Sequence, residues 1–70
     1  MNQIILSTTH GLTVVFDHPT RVTLGKRITI SGFTTAAFTK EGKSSTLDLS
    51  HDAPEFSIAQ RHVKALRVEY

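Results

Sequence analysis

No cysteine and no tryptophan occur in the 70 residues, and there are only two prolines and one tyrosine. Without thiols the fold has neither a disulfide nor a thiolate–zinc staple to lean on. A chain this short buries only about 60% of its unfolded surface and is marginally stable alone. Pairing as a homodimer is therefore an open route to added stability. No apolar run approaches the roughly 20 residues that span a bilayer. Met1 to Leu6 is too short and uncharged for a signal peptide, so a cytoplasmic protein with no membrane partner is expected. Charge of one sign is also scarce, since eight Lys and Arg against six Asp and Glu leave a net charge of +2. That excludes the acidic surface of a DNA mimic and falls short of the dense basicity of a dedicated nucleic-acid binder. The hydrophobic share of 39% argues against disorder, and residues 1–70 are read as one small domain.

Catalytic signatures are missing too. The chain has no G-x-S-x-G, no Walker loop and no G-x-G-x-x-G. The four histidines, His10, His18, His51 and His62, show no i, i+2 or i, i+4 pair that would present two ligands on one strand or helix face. They read as loop and surface residues, and no metal or cofactor is expected. No two of the six acidic residues read as a buried acid–base pair. A domain of this size has little room for a pocket of about 300 Å³. The chain is not expected to be an enzyme.

The informative stretch is Thr20 to Gly32. Its even positions carry Val22, Leu24, Lys26, Ile28 and Ile30, and its odd positions carry Arg21, Thr23, Gly25, Arg27, Thr29 and Ser31. A period of two, apolar on one parity and polar on the other, marks a half-buried β-strand. Two readings remain. A hairpin with an odd-length loop pairs Val22 with Ile30 and Leu24 with Ile28, whereas a two-residue turn at Gly25-Lys26 mixes apolar and polar side chains on one face. Alternatively the strand runs unbroken and bends at Gly25. The bent strand is preferred, with Lys26 reaching a rim to keep its ammonium solvated.

On either side lie further strands. Gln3 to Ser7 and Leu12 to Phe16 form a first hairpin across Thr8–Gly11, with Gly11 free to take positive φ. Pro19 breaks the strand after Asp17-His18. Thr34–Thr39 pairs with Ser44–Leu49 around a Glu41-Gly42 turn, setting Ala36 opposite Leu47, Phe38 opposite Ser45 and Thr34 opposite Leu49. Ser50 to Pro54 is a polar loop. From Glu55 to Tyr70 a helix capped by Asp52 competes with a strand, a short 3₁₀-like turn at 59–62 and a final strand. The alternation of Leu66, Val68 and Tyr70 against Arg67 and Glu69 favours the strands. The expected class is all-β: a small antiparallel barrel of five to six strands, or a strongly bent sheet. This order of elements resembles SH3-like and Sm-like small barrels, in which a long bent strand and a turn before the last strand recur.

Two functions fit such a chain. The first is a non-enzymatic protein-binding module, a stoichiometric regulator or inhibitor of a larger protein assembly. Its contact surface would be Ile5, Val15 and Phe33, three apolar residues on the parity facing away from the core. The alternative is a small-barrel nucleic-acid binder. Its basic residues would be Arg21, Lys26, Arg27, Arg61, Lys64 and Arg67, with Arg21, Arg27 and Arg67 forming one stripe if the last strand lies beside the central one.

Overall fold

A computed structural model describes residues 2–48 and 55–70 of the protein. The expected loop Ser50–Pro54, the position of Leu49 opposite Thr34, and Asp52 as a helix cap fall outside the described residues. The fold is all-β. Eight strands follow in order: β1 (Gln3–Thr8), β2 (Leu12–Asp17), β3 (Arg21–Thr23), β4 (Arg27–Ser31), β5 (Thr35–Lys40), β6 (Lys43–Asp48), β7 (Glu55–Ala59) and β8 (Val63–Glu69). A single 3₁₀ turn, Gln60–His62, joins β7 to β8, at the place where the sequence reading sets it. The strand reading of the tail thus prevails over the helical one.

The strands form two antiparallel sheets. One has five strands in the order β6-β5-β2-β1-β8, and the other has three in the order β3-β4-β7. Among the described residues no ladder joins the two sheets, so the expected barrel is not closed. One of the strands beyond five or six arises because the central stretch is not one bent strand. It is a hairpin, β3 paired with β4 in the register Val22↔Ile30 and Thr23↔Thr29. The three residues Leu24, Gly25 and Lys26 form its loop. This register keeps the apolar parity intact across both strands, as burial requires. The loop also carries Lys26 into solvent, which an unbroken strand on the core parity would have made costly.

The other two hairpins follow the pattern closely. β1 pairs with β2 so that Ile4 lies opposite Phe16 and Leu6 opposite Val14; all four are fully buried. β5 pairs with β6 with Ala36 opposite Leu47 and Phe38 opposite Ser45. The turn between them places Glu41 at φ 53° and Gly42 at φ 78°, the doubly left-handed geometry that matches the strand twist in two-residue hairpins.

The core lies between the sheets. Ile4, Leu6, Val14, Phe16 and Ala36 come from the larger sheet, Ile28 and Ile30 from the smaller one. Phe33 joins them from the link between β4 and β5, with an exposure of 3%. Its ring meets Phe16 edge-on at 4.8 Å, and Phe16 meets Phe56 of β7 at 5.2 Å, spacings typical of favourable aromatic pairs. Aromatic contact thus ties the two sheets together.

Two of the places where the chain crosses between the sheets, residues 17–20 and 32–34, are hydrogen-bonded to each other. Thr20 N–H donates to Ser31 O at 3.0 Å and Thr34 N–H to Asp17 O at 2.9 Å; the Thr20 hydroxyl donates to Gly32 O at 3.2 Å. Gly32 has φ 73°, and a β-carbon there would lie 2.6 Å from Thr20 Cβ. Only glycine meets both demands. Gly32→Ala is expected to destabilise the fold by about 1–3 kcal/mol, measured as a shift in urea midpoint. Phe33→Ala, which empties a core site, should cost about 3–5 kcal/mol; a loss below about 1 kcal/mol would contradict its buried position.

Candidate functional site

The three residues of the expected apolar surface separate in the structure. Ile5 and Val15 are a direct cross-strand pair on the outer face of the larger sheet, with Ala37 beside Val15 and Arg67 beside Ile5. Both are half-buried by their neighbours. Phe33 is absent from this face. The alternation that would expose it holds within a strand, but Phe33 follows the left-handed Gly32 in a link, where the chain turns and the parity resets. Phe33 is therefore a core residue, and it offers no contact surface.

The basic stripe is also divided. β8 pairs with β1 and not with β4, so Arg67 lies on the larger sheet while Arg21 and Arg27 lie on the smaller one. Arg67 is ion-paired with Glu69 at 2.7 Å on an exposed surface, a contact of small energetic weight. Arg27 donates from Nε to the Ser57 hydroxyl at 2.9 Å. Arg21 sits opposite Ser31, whose other neighbour is Glu55.

Something else is assembled at the seam between the sheets. The 3₁₀ turn brings Gln60 back to the β3–β4 loop, where its N–H donates to Lys26 O at 2.9 Å. Along this contact runs a groove of about 530 Å³. Its apolar lining is Ile28, Val63, Leu66 and Leu24, and Arg61 and Lys64 supply its charges. Among the described residues no acidic one lines it. Leu24 is 66% exposed, one of two large hydrophobic residues that the described fold leaves in solvent, the other being Tyr70. The sequence pattern assigns Leu24 to the core because its parity is right. It fails because Leu24 sits in the hairpin loop, past the last ladder pair, where nothing of the opposite sheet covers it.

The histidines show a second convergence that spacing could not reveal. Thr9 N–H donates to His62 O at 2.9 Å, and the rings of His10 and His62 lie 5.5 Å apart. Lys40 lines the same hollow of about 290 Å³. Among the described residues no group of three or more His, Cys, Asp or Glu could hold a metal ion, and His51 falls outside them. Among the described residues no helix is long and apolar enough to cross a membrane.

Asp17 is held by two side-chain hydrogen bonds. Thr35 donates a hydroxyl to one carboxylate oxygen at 2.6 Å, and the Gln3 amide donates to the other at 2.9 Å. These bonds favour the charged form, the Thr35 contact most, and set its pKa below the usual carboxylate value. No family model matches the chain, and no curated protein or solved structure is significantly similar to it.

The lowered Asp17 pKa has a definite linkage sign. A carboxylate whose folded pKa is depressed adds stability above its unfolded pKa and loses it as pH falls through the folded value. Asp17→Asn should therefore cost on the order of 1 kcal/mol near neutrality. The cost should shrink towards zero as pH falls below the ordinary carboxylate range, as read by urea titrations across that range.

Proposed function

We propose that this protein is a non-enzymatic binding module that acts by stoichiometric contact with a partner protein. The supporting observation is Leu24: a large aliphatic side chain left in solvent on the wall of an apolar groove. Exposed aliphatic groups beside a concave apolar floor are what protein contact sites use to gain affinity. Regulation or inhibition of a larger assembly is the mode of action that such a contact suits in a chain of this size. The groove takes over the role first given to Ile5, Val15 and Phe33. The outer-face pair Ile5 and Val15 is flanked by Ala37 and by threonines, and presents less apolar relief.

Nucleic-acid binding is the second reading, on four of the six basic residues first named for it. Lys26, Arg27, Arg61 and Lys64 gather at the end of the fold where Arg27 pairs with Ala59 and Lys26 meets Gln60. A phosphate backbone lying there would give binding that weakens steeply with salt. Aromatic groups that stack on bases are thin there: Phe33 is in the core, and the exposed Tyr70 follows the end of β8 that lies away from Arg61 and Lys64.

The two readings separate in one experiment: affinity capture from a cell lysate, with and without nuclease, using the natural chain and Leu24→Asp. Leu24 makes so little buried contact that this change should alter stability by less than about 0.5 kcal/mol. The expected result is a protein that is captured after nuclease treatment and lost with Leu24→Asp. Capture that nuclease abolishes and Leu24→Asp leaves intact would favour the second reading.

A further inference from the structure

We propose that the seam groove accepts an extended acidic segment of a partner protein, which adds to β8 as a further strand of the larger sheet. This rests on the binding-module reading and specifies the partner's chemistry. β8 lies at the end of its sheet and pairs, among the described residues, with β1 alone. An edge strand offers its outer N–H and C=O groups to an incoming strand. The ladder with β1 is regular from Ala65 to Glu69; its irregularity lies between Ser7 and Thr8, where Lys64 is left without an opposite residue. β8 is also the edge along which the groove runs, through Val63 and Leu66.

An added strand would turn every second side chain towards the groove. Apolar side chains at those positions would cover Leu24 and Leu66. The charge of the site selects the rest. Arg61 and Lys64 line the groove, Lys26 is bonded through its carbonyl to the lining residue Gln60, and among the described residues no acidic one lines it. Carboxylates at the end of the segment near Arg61 and Lys64 would neutralise them and speed encounter. A second copy of the chain is disfavoured, because the edge it would bring carries Arg61, Lys64 and Arg67 against one carboxylate, Glu69. A nucleic acid is disfavoured by a floor of aliphatic side chains with no aromatic ring among them.

The test uses the full chain and three synthetic peptides of about eight residues, the common length of a strand. One alternates Glu with Val and Leu. The second replaces each Glu with Lys. The third is the acidic peptide N-methylated along one edge, so that it cannot complete the ladder. Binding is read by fluorescence anisotropy, and its location by backbone amide shifts. The expected result is binding of the acidic peptide alone, with shifts at Leu24–Gly25 and along Ala65–Glu69, and hydrogen-exchange protection of β8 amides. Arg61→Glu with Lys64→Glu should weaken it by about tenfold or more. Equal binding of acidic and basic peptides, retained binding of the N-methylated peptide, or displacement of the acidic peptide by a single-stranded oligonucleotide at equal concentration would overturn the proposal. Absence of acidic-peptide binding while a Leu24-dependent protein is still captured would overturn this inference and leave the binding module standing. Selective β8 binding with no Leu24-dependent partner in a lysate would support the edge site and count against the broader reading.

Discussion

The structure depends on the place where the chain passes from one sheet to the other and back. Residues 17–20 and 32–34 run side by side, and the donors that strand ends would leave orphaned are satisfied across the pair. Thr20 N–H is taken by Ser31 and Thr34 N–H by Asp17, while His18 N–H donates outside the pair, to Asn2 at 2.8 Å. Buried or half-buried backbone groups must find partners, and here each crossing supplies the other's. The close approach is possible because Gly32 has no side chain to strike Thr20. With the crossings locked, the β3–β4 hairpin is held over the larger sheet, and Ile28, Ile30 and Phe33 close onto Phe16. A chain without cysteine has no disulfide to hold two small sheets face to face.

Among the described residues the two sheets share a core but not a ladder. A closed barrel would leave no free edge; this arrangement leaves β8 at the margin of the larger sheet, beside the loop that carries Leu24. The positive charge at Arg61, Lys64 and Arg67 is the kind of guard that keeps an exposed edge from pairing with copies of itself. At the proposed edge site the same charge would select an acidic visitor. Protection from self-association and choice of partner would then arise from one set of side chains.

Much of this was legible in the residues. Alternation located β1, β2, β4, β5 and the final strand, and the turn residues set the pairing of Ala36 with Leu47. Those readings succeed because they rest on local terms, side-chain period and turn geometry. The failures lie where the local rule stops. Phe33 sits in a link, so strand parity does not govern it. Leu24 has core parity but sits at a loop tip. Arg67 was grouped with Arg21 and Arg27 on an assumed neighbour for β8, and the sheet order placed it beside Ile5 instead.

Composition and period determined by themselves that this is an all-β chain with an aliphatic and phenylalanine core and no recognisable catalytic constellation. Only the tertiary structure decided that the strands divide into two sheets, that His62 lies against His10, and that Leu24, Arg61 and Lys64 border one groove. The physical reason is range. Alternation and turn chemistry act over a few residues, and each segment carries them in its own side chains. Which edge β8 joins, and what stands opposite it, is settled by burial and hydrogen bonding between segments far apart along the chain, where no spacing records the contact.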